Sequence, residues 1–351
     1  MSETSTGQLL TQPAYWQALR DHGCACPDTG WEWQQQASEL TQAPVWSKAH
    51  SWGEFVFDQT WAQAYSRAGG AYYPKWVCAL PFTPVPGPRL GAQPAQTAAE
   101  LAELGRDAGV SGIHVLFASD TDASALAHDP RWLRRQDIRY IWRNRGYADF
   151  GDFLGALSSK KRKNLRRERR LAQQTGLHMQ WLPAAQLPAQ DWNRLYALYA
   201  STYHMRGQHP YLSLSCLQAW AEQLPENFWL CTARDDQQQL QAMAFFFADE
   251  QALYGRHWGA AKDYDCLHFE LCYYQGMEFC LERNIPHFDA GVQGQHRLLR
   301  GFEPALSQSL HYLLNPEFSA AVAAYLQRET PAVQAEWQEQ CRATAFKDRL
   351  E

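Results

Sequence analysis

Side chains that can move protons or bind anions are concentrated in two stretches of this chain, residues 267–276 and 291–304. Acyl transfer to an amine requires a group that accepts the amine proton and donors that stabilise the tetrahedral oxyanion. The main candidates of these types in the two stretches are His268, Glu270, Gln293, His296, Arg297 and Arg300. Their combination predicts an acyl-transfer site.

The surrounding pattern predicts how the two stretches come together. Residues 253–260 and 285–290 are typical of strands, and residues 265–283 are typical of a helix with Asp265 as its N-cap. A helix that joins two neighbouring strands returns the chain to the same sheet edge. We therefore expect the start of the helix and the glycine-containing loop to lie close to each other.

Helical geometry separates His268 from Glu270. Residues i and i+2 of a helix are about 200° apart around its axis, so the two side chains cannot both face one ligand. We expect one to be catalytic and the other to orient a neighbour, the alternative being helix capping and dipole complementation. Arg256 and Trp258 alternate on the preceding strand and share a face. That pair predicts either an anion clamp or an arginine stem packed on the indole.

The glycines of the 291–304 loop permit the backbone to approach a ligand closely. We therefore expect loop side chains to bind or act on the substrate, the alternative being a turn with solvated side chains. A further candidate for substrate binding is Tyr274 on the predicted helix.

A basic segment precedes this region. Residues 131–170 contain 14 basic and 4 acidic residues, a net charge of +10, although the whole chain carries −5. Residues 149–174 are typical of a helix that ends near Gly176, and its basic run is expected to bind phosphate groups or tRNA. A localisation signal is the alternative. The expected phosphate-binding residues are Lys160, Lys161, Lys163, Arg166 and Arg167.

Composition limits the class of protein. The 351 residues are enough for two domains, and 46% apolar residues support a large core. The N-terminus has no signal-peptide pattern and no apolar run is long enough to span a membrane, so we expect a cytoplasmic protein. Nine cysteines without paired spacing predict reduced thiols. Cys266, His268, Glu270 and Cys272 alternate on a helix and cannot converge on one ion, so no metal is expected.

Six blocks of the sequence resemble the FemAB-like family of N-acyltransferases, which is labelled peptidoglycan biosynthesis/recognition. The resemblance extends from about residue 13 to about residue 330. The blocks are HSWGEFVFDQTWAQAY (50–65), YYPKWVCALPFTPVPGPR (72–89), LSSKKRKNLRRERR (157–170), LYGRHWG (253–259), LHFELCYYQGMEFCLERN (267–284) and AGVQGQHRLLRGFEP (290–304).

The resemblance implies a mixed α/β fold with two GNAT-like domains, which we place at residues 1–145 and 146–351. It also implies that an aminoacyl group from tRNA, or an acyl group from coenzyme A, is transferred to a small-molecule or peptide amine, with no tightly bound cofactor. Residues 259–265 lack the glycine pair of an ordinary acetyl-CoA loop, which favours the first donor. A non-catalytic RNA- or nucleotide-binding protein is the remaining alternative.

One position departs from the family pattern. The family's loop reads GxQGEHK, whereas residues 291–297 place the amide Gln295 where the family has a carboxylate. The expected base is therefore His268 or His296, because an imidazole with a pKa near 6.5 can accept a proton at neutral pH. Glu270 is expected to orient the substrate.

Overall fold

A computed structural model describes residues 7–291 and 294–347. The chain divides into two compact units, Met1–Ile138 with Leu306–Gln338 and Arg139–Ala305 with Glu339–Glu351. Both contain β-strands flanked by helices, so the expected mixed α/β class is confirmed. The division at residues 145 and 146 stays a prediction. In the described part of the chain, no helix is long and apolar enough to cross a bilayer.

The first unit is built on a sheet with the strand order β1-β2-β3-β4-β11. β3 and β4 run parallel, and the other neighbours in this order run antiparallel. Its strands are β1 (Trp31–Trp33), β2 (Val45–Lys48), β3 (Lys75–Cys78), β4 (Gly112–Val115) and the part of β11 (Glu303–Leu313) that begins at Leu306, and it also contains the first residues of β5, up to Ile138. Its helices are α1 (Pro13–Asp21), α2 (Gln35–Ser38), α3 (Gln59–Arg67), α4 (Pro94–Asp107), α5 (Asp120–Ala125) and most of α12 (Pro316–Arg342).

The second unit has the strand order β5-β10-β9-β8-β7-β6, and β9–β10 is its parallel pair. Phenylalanines from β7 and β8 stack in its core and are fully buried. Its strands are the part of β5 (Trp132–Arg143) that begins at Arg139, β6 (His178–Pro183), β7 (Phe228–Arg234), β8 (Leu240–Ala248), β9 (Ala252–Ala260) and β10 (His287–Asp289). Its helices are α6 (Phe150–Ala156), α7 (Ser159–Gln173), α8 (Trp192–His204), α9 (Leu214–Gln223), α10 (Leu267–Phe269) and α11 (Gln275–Arg283), with a π-helical turn at Glu270–Tyr274 between the last two.

The long helix expected at residues 149–174 is interrupted. Leu157 is extended between α6 and α7 and forms a bridge with Phe346. The Ser158 amide donates to the Ala345 carbonyl, and the Lys347 amide donates to the Ala156 carbonyl. This tertiary pairing outweighs the helical propensity of the segment.

The N-cap predicted for the crossover helix is wrong. Cys266, with a left-handed φ of 59°, precedes the first helical residue, Leu267, and takes the place expected for Asp265. The π-helical turn then adds one residue to a turn of the helix and changes which side chains share a face beyond Glu270. The helix still returns the chain from β9 to β10, as expected.

Candidate active site

The candidate site lies where two parallel strands of the second unit separate. β9 and β10 pair through Ala252–Tyr254 and His287–Asp289. β9 continues to Ala260, whereas β10 ends at Asp289, and a cavity of about 100 Å³ opens beyond the last pair. Ligands of α/β sheets bind at the carboxyl ends of parallel strands. The cavity therefore occupies the place where this topology favours a ligand.

The cavity brings together four of the expected site residues, Arg256, Trp258, His268 and Arg297. Arg256 is the extra residue of a β-bulge, because Gly255 pairs with Phe246 and His257 pairs with Phe245 on the neighbouring strand. Bulges next to active sites re-aim side chains. Both Arg256 and Trp258 line the cavity, and so does His257 between them.

His268 forms the aromatic wall of the cavity with two neighbours. Its ring centroid lies 5.2 Å from the Trp258 ring and 5.5 Å from the Tyr273 ring. Burial lowers the pKa of His268 to about 4, and the charges of His296 and Arg297 also lower it. His268 is therefore neutral at pH 7 and a weak base.

Tyr273 was not among the residues expected from the sequence, yet it lines the cavity and links two residues that were. The Arg297 Nε–H donates to the Tyr273 hydroxyl oxygen over 3.3 Å. The same hydroxyl lies 2.9 Å from His296 Nε2. Because arginine can only donate, the Tyr273 hydroxyl proton is available to His296 Nε2. When Tyr273 donates to it, a neutral His296 carries its own proton on Nδ1.

His296 itself lies at the surface beside the cavity. Its ring packs against Gly294, whose φ is 105° and whose substitution by a larger residue would place a Cβ 2.5 Å from the ring. Partial burial lowers the pKa of His296, as do the neighbouring Arg297 and Arg300 charges. A neutral imidazole at pH 7 follows, with one nitrogen facing Tyr273.

Glu270 lies beneath the site, outside the cavity lining, and is engaged by the basic helix. Its carboxylate accepts two hydrogen bonds from Arg169, at 2.8 and 3.1 Å. The π-helical turn also brings Gln275 within 3.0 Å of the same carboxylate. Arg169 binds Glu278 as well, at 2.7 Å. The contacts place Glu270 where it fixes the helix that carries His268.

Arg300 and Tyr274 also lie outside the cavity lining. Arg300 forms two hydrogen bonds with Glu168 of α7, at 2.8 and 3.0 Å, and Tyr274 donates to the same carboxylate. Arg300 Nη1 donates to the His296 carbonyl at 2.9 Å. This network fixes the backbone of the loop that carries His296.

The basic helix has two distinct faces. Glu168 and Arg169 turn inward with the buried Leu165 and Ala172. The helix therefore packs against the unit although most of its side chains are charged. The outward residues form an exposed cationic face. It consists of Lys160, Lys163, Arg166, Arg167 and Arg170, with Lys161 half-buried at its margin.

The remaining expectations concern a loop residue and metal ligands. Gln293 lies outside the described residues. Cys272 lines the cavity, and burial raises the pKa of its thiol, which disfavours the thiolate that a metal would need. No group of three or more His, Cys, Asp or Glu in residues 7–291 and 294–347 is placed to hold a metal ion.

The fold defines a protein of two mixed α/β units. The chain belongs to the FemAB-like family, described as peptidoglycan biosynthesis/recognition, because the family's sequence profile matches residues 3–348. No curated protein matches the sequence. Membership of this family makes the protein an acyltransferase.

Three solved structures are similar in fold at low identity. FemX has a TM-score of 0.54 at 10% identity, covering 92% of this chain and 96% of that chain. L-PGS from Bacillus licheniformis has a TM-score of 0.53 at 11% identity, covering 93% and 98%. A conserved protein of unknown function from Bacteroides thetaiotaomicron has a TM-score of 0.55 at 11% identity, covering 90% and 93%. The expected Fem-like fold is therefore confirmed.

Proposed function

We propose that the protein is a Fem-like N-acyltransferase that forms an amide by moving an aminoacyl or acyl group onto an amine. The observation that carries the proposal is the hydrogen-bonded series Arg297, Tyr273 and His296 at the cavity. It supplies a neutral base, a hydroxyl that can relay a proton and a fixed positive charge. These are the groups that amide formation requires.

In the proposed reaction the acceptor nitrogen attacks the donor carbonyl carbon. A C–N bond forms, and the carbonyl π electrons move onto the oxygen. The nitrogen loses a proton to the Tyr273 oxygen as the Tyr273 hydroxyl proton passes to His296 Nε2. Collapse of the intermediate breaks the bond to the leaving oxygen or sulfur, which receives the proton back from His296 through Tyr273.

The arginines at the cavity support the charge that develops in this reaction. Arg256 and Arg297 both line the cavity, and a fixed cation stabilises a developing oxyanion most strongly where water is excluded. His268, which is neutral at pH 7, is proposed to contact the substrate. Its pKa of about 4 makes it a weaker base than His296.

The donor is proposed to be an aminoacyl-tRNA, in a cytoplasmic protein. The exposed cationic face of α7 supports this donor, because its five outward cations are accompanied by no outward acidic residue on the described helix. An acyl-CoA donor is the alternative, since its phosphates would use the same cations. A non-catalytic RNA-binding protein would need that face but not the series of hydrogen bonds at the cavity.

The test offers the purified protein charged tRNA or acyl-CoA together with a mixture of small amines and peptides. Mass spectrometry then detects new amides. We expect His296→Ala to lower turnover roughly 10²–10⁴-fold and Tyr273→Phe to lower it by a similar factor, with the fold preserved. The rate should also fall on acidification, because protonation of His296 removes the base.

Gln295→Ala is the matched control, since Gln295 is an exposed neighbour in the same loop. It should retain activity. Full turnover by His296→Ala and Tyr273→Phe with a productive donor would contradict the mechanism. Tight RNA binding without turnover of either donor would favour the non-catalytic alternative.

A further inference from the structure

The charged groups that line the cavity all have the same sign. Among the described residues they are Arg256 and Arg297, and no aspartate or glutamate contributes to the lining. The nearby carboxylates of Glu168 and Glu270 lie outside the lining and bind Arg300 and Arg169. The lining of the cavity therefore carries a net positive charge.

From this arrangement we infer that the cavity is a binding site for a carboxylate, carried by the small amine that accepts the acyl group. The carboxylate site rests on the cavity alone. Its assignment to the acceptor rests on the proposed function. An acceptor with both groups belongs to the class of amino acids and short peptides.

The electrostatic environment of the cavity histidines supports an anionic ligand. The fixed charges that act on His268 are those of Arg297 and Arg300, and both lower its pKa in addition to burial. Burial and the Arg256 charge hold the pKa of His257 well below its ordinary value. A positive potential of this kind repels an ammonium group and attracts a carboxylate.

The size and walls of the cavity restrict the ligand further. Its volume of about 100 Å³ exceeds the roughly 10–15 Å³ that a cavity needs to hold a single water molecule. It therefore has room for a carboxylate with one or two carbons. Trp258, His268 and Tyr273 provide an aromatic wall for those carbons. An amine on the same short carbon linker then meets the Tyr273 hydroxyl and the proposed base.

The test follows His268 by NMR in the full-length protein with labelled histidines, its signal assigned with His268→Gln. Propionate, inorganic phosphate and methylammonium are titrated separately. We expect propionate to give a saturable shift in the millimolar range and to raise the pKa of His268, because an anion favours the imidazolium. Methylammonium should have no effect at the same concentrations.

Arg256→Gln with Arg297→Gln should weaken propionate binding roughly tenfold or more, the cost of losing charge-assisted hydrogen bonds. Arg297→Lys keeps the positive charge and should retain part of the propionate affinity. It therefore tests the site even if the double variant does not fold. Arg206→Gln is the matched control. Arg206 is exposed, and its charge acts to lower the pKa of Tyr203 as the Arg256 charge does. It lies outside the cavity lining, so propionate binding should be unchanged in Arg206→Gln.

The outcomes separate this inference from the proposed function, since binding is measured without turnover. Saturable propionate binding that depends on the two arginines supports the site even if no amide forms. Saturation by phosphate but not by propionate would assign the cavity to a phosphate and overturn the inference. Absence of any anion response, or an undiminished response in the folded double variant, would also overturn it.

Discussion

Each unit of this protein contains buried or partly buried cations, but they are arranged in opposite ways. In the first unit, Lys75 is completely buried and donates to Ser51 at 2.9 Å, to Glu54 at 2.8 Å and to Asp58. In the second unit, Arg256 and Arg297 line a cavity to which no described carboxylate contributes. The Lys75 cluster is neutralised from within, whereas the lining of the cavity carries a net positive charge.

The pKa values of Lys75 and Asp58 agree with this contrast, whereas burial raises the pKa of Glu54 to about 7. Burial alone would lower the pKa of Lys75, but Glu54 and Asp58 raise it above its ordinary value. Burial opposes ionisation of Asp58, yet the Lys75 charge holds its pKa well below the usual range. A shifted pKa alone therefore does not indicate a ligand site. It supports one only where the group lies beside a cavity whose lining carries a net charge.

The largest effect is expected from breaking the Lys75 cluster. Lys75→Met leaves Glu54 and Asp58 buried without their cation and should lower the free energy of unfolding by about 3–5 kcal/mol. Urea denaturation measures this loss. Replacing all three, with Glu54→Gln and Asp58→Asn, should recover most of the lost free energy of unfolding.

Arg297→Gln should cost under about 1 kcal/mol of unfolding free energy, as expected for a residue near the surface. Equal losses in Lys75→Met and Arg297→Gln would remove the distinction between the two regions.

A smaller effect concerns acid stability. The pKa of His268 is about 4 in the folded protein and near 6.5 when unfolded, so the unfolded chain binds the proton first as the pH falls. The contribution of His268 to the free energy of unfolding is therefore present above pH 6.5 and is lost as the pH falls from 6.5 to 4. Between pH 7 and pH 5 the His268 share is roughly 2 kcal/mol. His268→Gln should reduce the measured loss of unfolding free energy by that amount. An unchanged difference between the two pH values would show that His268 is not desolvated.

The sequence predicted the crossover that positions the site, because strand and helix patterns around residues 253–290 are strong and local. The same topology predicted that His268 and Arg297 lie close to each other, whereas for Arg256 it left a packed side chain as the alternative. It did not predict the role of Tyr273, because the π-helical turn that changes the helical register has no clear signal in local propensity. The expected residue was the neighbouring Tyr274, which lies outside the cavity lining.

The inward charges of α7 were missed for a different reason. A run of basic residues is typical of a solvated face, and the sequence alone does not show which members find carboxylates. Arg169 reaches Glu270 about a hundred positions away, and Glu168 reaches Arg300 still further along the chain. Such long-range ion pairs depend on tertiary packing, as does the left-handed Cys266 that begins the crossover helix.

The smallest effect per residue is expected at the exposed cationic face of α7, which adds a third arrangement to the comparison. Its cations are neither neutralised from within nor enclosed, so their binding of tRNA should fall steeply with salt. Lys163→Gln with Arg167→Gln should leave folding unchanged and reduce the slope of log affinity against log salt by about 0.7–0.9 for each phosphate that the variant no longer neutralises. Filter binding or anisotropy over a salt series measures the slope.

Propionate binding in the cavity should depend on salt much less, because partly buried charges are screened less than exposed ones. A shallow salt dependence of tRNA binding in the wild type, or a slope unaltered by the double substitution, would assign the nucleic acid to another surface.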